Sequence, residues 1–338
     1  MINRLGTAPT LGDVPRPSPG RDQALVRVSA AALNPVDLKI ASGVFYGRTP
    51  KVPYVAGSEG VGTIEEGGGP LRGKRVRFQV LRDGGGALAE WAVVGPATCL
   101  TIPHQLSAGT GAALGVAGMA AWISLVDKVR LQKGERVLIL GATGSVGQLA
   151  VQIAKLLGAG RIVASGRDPL LLAKSLELGA DAVVAIAGQT NDELRDEIMA
   201  AARGPLEVIF DPVWGAPLQA ALGATGPSAR IVHLGDSAGS EATLNSATVR
   251  GRQLTIIGHS TPNNSWEVRA RAFHELADHA AEGRIRIAVE ELPLAEIATA
   301  WSRQAASPHV KLVLRPGPWP APSPSGSGPY PCSRTESE

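Results

Sequence analysis

The chain has 338 residues, more than one small core needs and enough for two domains. Aliphatic residues, glycine and proline are abundant and aromatic residues are few, a mix that favours an α/β enzyme and argues against a coiled coil. Lysine plus arginine exceed aspartate plus glutamate only slightly, 33 against 30, and no basic block is interleaved with aromatics. We therefore expect no nucleic-acid partner.

The cysteines and the N-terminus restrict the compartment. Two cysteines, Cys99 and Cys332, are too few for a disulfide framework or a Cys-rich metal site. Met1 does not lead into the apolar stretch of a secretory signal, and no apolar run approaches the roughly 18 residues of a membrane span. We expect a cytoplasmic protein without a membrane partner.

The first hundred residues have the texture of a β-rich domain. Short apolar runs follow turn-forming Pro and Gly clusters, and an Ala- and Gly-rich helical stretch comes after them. The predicted strands are 24–28, 60–65, 75–80 and 87–94, and the predicted helix is 107–126.

From Arg136 the chain alternates between apolar runs and helical patterns. The runs are 136–142, 161–165, 182–186, 206–211, 229–234 and 254–259. Helical patterns separate the first five runs, and a longer polar segment precedes the sixth. This alternation predicts a doubly wound, parallel six-stranded sheet of the Rossmann type.

The last part of the chain is predicted to return to the first domain. It has helical patterns at 266–282 and 294–304 and strand patterns at 285–289 and 310–314. Residues 317–338 are rich in Pro, Ser and Gly, so we expect a disordered tail. The predicted division is 1–113 and 262–316 for the first domain and 114–261 for the Rossmann domain.

The strongest local motif is a glycine loop between the run 136–140 and an amphipathic helix. Gly141 allows a tight turn, Gly144 lets a pyrophosphate approach the backbone, and Gly147 lets the helix pack closely on the strand. Amides at the helix start would hold the phosphates. The predicted cofactor contacts in this loop are Gly141, Thr143, Gly144, Ser145, Val146 and Gly147. The alternative is a tight turn without a ligand.

The end of the second strand bears on which cofactor is used. Proteins that bind NAD place an acidic residue there for the ribose hydroxyls, whereas this strand ends in Ser165, Gly166 and Arg167. A guanidinium suits a 2′-phosphate and Ser165 could add a hydroxyl, so NADPH is the predicted cofactor. Asp168 could instead take the ribose, but we favour its acting as the N-cap of the next helix.

These residues, together with others, resemble the medium-chain dehydrogenase/reductase superfamily and its quinone oxidoreductase branch. The other carriers are Val14-Pro15-Arg16-Pro17, Ala32 to Lys39, Ala56 to Gly62, Leu178 to Asp181 and Lys311 to Leu314. The resemblance implies a GroES-like catalytic domain built from both chain ends, with the Rossmann domain inserted. It also implies cofactor contacts at Leu234 and Gly235, a possible homodimer, and a first strand that begins before Met1, which predicts a shortened N-terminus.

The resemblance also indicates zinc-free chemistry. Zinc-dependent relatives have Cys and His where this chain has Asn34 and Ser58, and neither residue is a usual zinc ligand. We expect no metal. Hydride would then go to a conjugated acceptor, a quinone or an α,β-unsaturated carbonyl, whose distant oxygen a hydrogen-bond donor can stabilise.

Asn34, Lys39 and Tyr46 are the predicted catalytic residues. By resemblance the first two face the nicotinamide ribose and the cleft, although Asn34 could be a turn residue and Lys39 a solvated lysine. Tyr46 lies in a loop that borders the active site in the family and could donate a proton.

The predicted function is NADPH-dependent hydride transfer to a quinone or enone. The alternatives are an enoyl or alkenal reductase acting on a biosynthetic intermediate, and an NADPH-binding protein without turnover. Relatives often hold the 2′-phosphate with Lys and Tyr, where this chain has Leu171 and Ile186 or Ala187, so Arg167 would carry the phosphate almost alone. His259, after the last Rossmann strand, is expected to be a surface or loop histidine.

Overall fold

The computed structural model describes residues 1–43, 49–80 and 85–317, and these ranges form two β-sheets with helices around them. The strands are β1 (Ala24–Ala32), β2 (Glu59–Gly67), β3 (Arg75–Gln79), β4 (Trp91–Val94), β5 (Leu100–Thr101), β6 (Arg136–Ile139), β7 (Arg161–Gly166), β8 (Ala182–Ala185), β9 (Leu206–Asp211), β10 (Thr225–His233), β11 (Thr255–Gly258), β12 (Val289–Pro293) and β13 (Lys311–Arg315). The α-helices are α1 (Pro35–Ala41), α2 (Ala108–Ala113), α3 (Met119–Ile123), α4 (Ser145–Leu156), α5 (Pro169–Glu177), α6 (Asn191–Ala202), α7 (Gly215–Leu222), α8 (Ser246–Gly251), α9 (Trp266–Ala281) and α10 (Ile297–Ala305).

The first sheet combines strands from both ends of the chain. Its order is β12-β13-β1-β2-β3-β5, and β4 pairs with β1 beside β13. β1 runs antiparallel to β2, β4 and β13, and Ala31 pairs with Leu314 near the other chain end. The return of residues 289–315 to the first sheet is the arrangement of a GroES-like domain.

The second sheet has the order β11-β10-β9-β6-β7-β8, and all its pairings are parallel. The strand order reverses between β6 and β9, so the carboxyl ends of these two strands form the crevice in which such sheets bind ligands. The predicted α/β class, a GroES-like domain with a doubly wound parallel sheet, is confirmed.

One long helical stretch lies between the two sheets. α2 and α3 are each followed by a π-helical segment, Leu114–Gly118 and Ser124–Lys128, so that the stretch continues from 108 to 128. It is long and apolar enough to cross a membrane, so the expectation that no apolar run is of that length is wrong. Most of the stretch is buried, in a core that also receives side chains from both sheets.

Several predicted boundaries differ from the structure. The strand expected at 285–289 begins only at Val289, because the backbone of Arg286 is bonded to the side-chain amide of Gln152 on α4 (2.8 Å each way). The strand expected at 87–94 begins at Trp91. The polar segment before β11 contains a short helix, α8, which Asn245 caps through the Thr248 amide. Of the predicted tail, only Gly317 lies within the described residues.

Candidate functional site

The glycine loop joins β6 to α4 in the geometry that its sequence predicts. Gly141 has a φ of +62°, a conformation that costs glycine little. A Cβ on Gly147 would lie 2.3 Å from the Gly141 carbonyl oxygen and 2.6 Å from Cα of Ala142. Only glycine permits this approach of helix to turn, so the loop is tightly packed at Gly147.

The start of α4 is left open toward the cleft. Gly144 is the N-cap and supplies no side chain to the first amides, whereas Asp168, Thr190 and Ser265 cap α5, α6 and α9 with side-chain oxygens. A Cβ on Gly144 would meet one heavy atom within 4 Å, the Gly141 carbonyl oxygen at 3.6 Å. Free amides at an unobstructed helix start fit the phosphates of a dinucleotide.

Arg167 directly follows β7, at the same edge of the sheet. Its side chain is exposed and makes no hydrogen bond or ion pair within the described ranges. Asp168 accepts hydrogen bonds from the amides of Leu170 (2.9 Å) and Leu171 (3.2 Å), which confirms it as the cap of α5. The guanidinium is therefore available to an anion outside the protein.

The other predicted contacts near β7 are less open. Ser165 is fully buried, and its hydroxyl has no partner among the described residues. A Cβ on Gly166 would lie 3.0 Å from Cγ2 of Thr143, so a larger residue would press on the glycine loop. Thr143 is itself buried, and its carbonyl accepts from the amide of Gln148 (2.7 Å). Ser165 and Gly166 thus shape the floor of the cleft, and a direct contact of either with cofactor stays a prediction.

A second loop meets the cleft at the end of β10. The amide of Leu234 donates to the carbonyl of Asp211 (2.9 Å), and a Cβ on Gly235 would lie 2.5 Å from the Pro212 carbonyl oxygen. These contacts fix Leu234 and Gly235 against the loop that follows β9. Both residues are half-buried and stand at the carboxyl edge of the sheet, where a cofactor contact is predicted.

Asn34 is placed in the interior, 1% exposed. Its side-chain nitrogen donates to the Ala32 carbonyl (3.2 Å) and to Glu59 (3.1 Å), and its oxygen accepts from the ammonium of Lys311. Protein groups therefore occupy both ends of the amide. The predicted catalytic role of Asn34 is untested, and any such role would operate through this network.

The network around Asn34 contains four buried charged residues. Glu59 pairs with Arg77 (2.7 Å) and accepts the amide of Val116 from the first π-helical segment (2.8 and 3.0 Å). Burial raises the pKa of Asp37 to about 6, and the hydrogen bond from the Asn34 amide and the charge of Lys311 oppose that rise. Burial lowers the pKa of Lys311, while Glu59 and Asp37 oppose the change.

The cations of this cluster are the side chains of Arg77 and Lys311, and both are buried. The sequence did not predict that the Lys311 side chain lies beside Asn34. No group of three or more His, Cys, Asp or Glu residues suited to a metal occurs in the described ranges.

Lys39 lies on α1 and reaches across to the second domain. Its ammonium contacts the carboxylate of Asp236 at 2.5 Å. Asp236 is the residue directly after Gly235 in the chain. Both side chains are about half exposed, 49% and 46%. The hydrogen bond from Lys39 lowers the pKa of Asp236. Tyr46, the third predicted catalytic residue, lies outside the described residues.

A histidine near this edge has no role assigned from the sequence. His233 is bonded through Nδ1 to the buried carboxylate of Asp211 (3.0 Å), and the Trp214 ring packs on it with centroids 4.1 Å apart. Trp214 adopts a φ of +60°, unusual for a residue with a side chain. No sequence signal marked this cluster.

Of the expected surface or loop position, the structure bears out the loop: His259 directly follows β11, but it is buried and does not lie at the surface. It is 7% exposed, and its ring nitrogens meet Ser124 (2.7 Å) and Asn264 (3.2 Å). Burial, with a smaller contribution from Lys128, lowers its pKa to about 4. His259 is therefore neutral at physiological pH and ties the second π-helical segment to the segment after β11.

Taken together, the two-sheet fold and the open glycine cradle define a two-domain, dinucleotide-binding protein of the dehydrogenase type. Known families match both parts. The alcohol dehydrogenase GroES-like domain matches residues 20–133, and the zinc-binding dehydrogenase domain matches residues 145–278. The chain belongs to the medium-chain dehydrogenase/reductase family and is similar to its quinone oxidoreductases.

The relatives cover different shares of the chain. A phenolphthiocerol/phthiocerol polyketide synthase of Mycobacterium tuberculosis is 30% identical over 308 residues, 89% of this chain and 14% of the synthase polypeptide. A quinone oxidoreductase of Pongo abelii is 38% identical over 150 residues, 43% of this chain and 45% of that enzyme. The chain thus matches less than half the length of either relative.

A solved NAD-dependent alcohol dehydrogenase has a similar structure. It is 27% identical, with a TM-score of 0.80, over 90% of this chain and 95% of the other.

Proposed function

We propose that this protein is an NADPH-dependent reductase that transfers hydride to a quinone or to an α,β-unsaturated carbonyl without zinc. The observation that carries the proposal is the open helix start at Gly144, together with an exposed Arg167 at the same edge of the sheet that has no partner among the described residues. The bound nicotinamide cofactor would supply the hydride. The chain's own residues would hold its phosphates, orient the ring at the carboxyl ends of β9 and β10, and stabilise charge on the acceptor.

The preference for NADPH rests on Arg167. A forked guanidinium just after β7 matches a 2′-phosphate, and Asp168 uses one carboxylate oxygen, Oδ1, as the helix cap. A similar solved structure is named as NAD-dependent, so the preference for NADPH is proposed from Arg167 itself.

Zinc independence is supported by the buried cluster. A zinc ion beside Asn34 would lie close to the Lys311 ammonium, and two cations without an additional carboxylate repel each other strongly in a buried site. Asn34 and Ser58 also offer poor zinc ligands. Without a Lewis acid at this place, a conjugated acceptor is the substrate class that needs least help, because its charge spreads to a distant oxygen.

The test is the oxidation of NADPH and of NADH, followed by absorbance, with a panel of quinones and short enones. Arg167→Ala removes charge-assisted hydrogen bonds that contribute about 1.5–3 kcal/mol, so kcat/KM for NADPH is expected to fall roughly 10- to 100-fold. The value for NADH should stay unchanged. Arg250→Ala is the matched control, because this exposed arginine on α8 lies just before the amino end of β11, at the opposite edge of the sheet.

Each outcome supports or refutes one part of the proposed function. Equal use of NADH and NADPH by the wild type would refute the role given to Arg167 and leave the reductase class standing. Binding of NADPH without turnover of any acceptor would favour a non-catalytic binding protein. Zinc analysis of active protein gives an independent check, and activity proportional to bound zinc would refute the zinc-free proposal.

A second candidate is a reductase for an enoyl intermediate of biosynthesis. The similarity over 89% of this chain to a segment of a polyketide synthase favours it. It shares every cofactor residue with the first candidate, so the acceptor panel must include enoyl thioesters. Turnover of thioesters with rejection of free quinones would select this candidate.

A further inference from the structure

The contact between Lys39 and Asp236 joins the two domains at the cleft. Lys39 belongs to α1, which follows β1 of the first sheet, and Asp236 follows β10 of the second sheet. The two residues are 197 positions apart in the chain. Asp236 also comes directly after Leu234 and Gly235, the loop at which the cofactor is expected.

Backbone hydrogen bonds hold the loop that carries Asp236 in place. The loop that bears it is bonded to the loop after β9 through the Ala238 amide and the Val213 carbonyl (2.8 Å). The Gly239 amide closes a turn onto the Asp236 carbonyl (3.1 Å). Because Gly235 is in close contact with Pro212, the carboxylate has a fixed origin at the edge of the sheet.

The energy of the pair separates two possible roles. Both side chains are half exposed, so the pair adds little to stability and cannot by itself hold the domains together. A lysine side chain loses rotamer entropy when it is fixed, and the ion pair with a stationary carboxylate offsets part of that loss. The pair is therefore suited to aiming the ammonium and is weak enough to open.

We propose that Asp236 is a positioning residue, which holds the Lys39 ammonium at the cleft so that it can protonate the reduced acceptor. This inference rests on the proposed function. In the step, the acceptor carbon receives hydride from the nicotinamide cofactor, and the ammonium proton passes to the acceptor oxygen. The neutral amine then takes a proton from water, and Asp236 remains ionised throughout.

The first test asks whether the pair exists in solution, independently of activity. A carbodiimide joins a carboxylate to an amine in contact with it, so wild-type protein should yield a 39–236 cross-linked peptide in mass spectrometry. Asp236→Asn and Lys39→Met should each abolish that peptide. The absence of the cross-link from the wild type would overturn the proposal.

The second test measures what the pair does. General acid catalysis is worth roughly 100- to 10,000-fold, so a mispositioned donor in Asp236→Asn should lower kcat by about tenfold or more. The NADPH dissociation constant from fluorescence should stay within about threefold. Asp236→Glu should recover part of the loss, and Lys39→Met combined with Asp236→Asn should be no slower than Lys39→Met alone. Asp192→Asn, which removes another exposed, ion-paired carboxylate, is the matched control and should match the wild type.

The outcomes also separate this inference from the proposed function. An active wild type whose kcat is unchanged by Asp236→Asn would overturn the inference alone. The same holds if the losses in the two single variants multiply in the double variant. A wild type that turns over no acceptor would overturn the proposed function and the inference together.

Discussion

Gly115 provides a sharp test of the buried network. It lies in the first π-helical segment, where a Cβ would stand 1.9 Å from a carboxylate oxygen of Glu59 and 3.0 Å from Nε of Arg77. The same carboxylate accepts the Val116 amide and pairs with Arg77. Gly115→Ala must therefore displace either the helix or the Glu59 side chain.

The expected loss can be worked out from these contacts. Replacing glycine by alanine within a helix gains about 1 kcal/mol in backbone entropy. Moving Glu59 away from the Val116 amide forfeits about 1.5–3 kcal/mol. Separating Glu59 from Arg77 in a buried site costs about 3–5 kcal/mol when the charge is left without a partner. Since the carboxylate can keep some of these contacts, we expect a net loss of about 3–5 kcal/mol.

The assay is urea denaturation followed by circular dichroism and tryptophan fluorescence. Gly251→Ala is the control, because a Cβ there meets nothing within 4 Å at the last residue of α8, and its stability should equal or slightly exceed that of the wild type. A Gly115→Ala protein within about 1 kcal/mol of the wild type would show that the helix shifts freely, and would refute the fixed geometry argued for Glu59.

Three further predictions follow from single contacts. Asp168→Ala removes the cap of α5 and should cost about 1 kcal/mol in the same denaturation assay, with the ratio of NADPH to NADH use unchanged. Gly144→Ala should fold as well as the wild type but bind NADPH at least about tenfold more weakly by fluorescence titration, whereas Gly147→Ala should lose stability, because only its Cβ overlaps the turn. His259→Gln should make the free energy of unfolding less sensitive to acid. The pKa of His259 falls from 6.5 to about 4 on folding, so between these pH values the unfolded chain binds more protons than the folded protein. The wild type therefore loses up to about 3 kcal/mol of stability as the pH falls through this interval, and the variant should not. Denaturation at pH 7 and pH 4.5 checks this, and an equal pH effect in variant and wild type would contradict it.

The second sheet could be predicted from the sequence because its signals are local. Each apolar run is short and bounded by glycine or polar residues, and the loop at Gly141 sits between one run and one amphipathic helix. The helix cap at Asp168 could also be predicted from the sequence, because Pro169 and the residues after it form the first turn of α5.

The contacts of the predicted catalytic residues were much harder to predict from the sequence. The Lys311 ammonium contacts Asn34, which lies 277 positions away in the sequence, and no local sequence pattern predicts that contact. The Lys39–Asp236 contact joins two domains and is equally hidden. Because burial of Asn34 follows from these distant partners, the sequence could name the residue but could not show that its amide is already occupied. Cytoplasmic location, a homodimer and the acceptor remain predictions.

The core around the 108–128 helix has a consequence for movement. Side chains from the first sheet, such as Val61 and Val313, and from the second, such as Val137 and Ile139, belong to one continuous apolar cluster with that helix. A cut between the domains would expose this cluster to water, so neither half is suited to separate expression. Because this cluster would stay packed, relative movement of the two sheets is expected only on the cleft side, where Lys39 contacts Asp236.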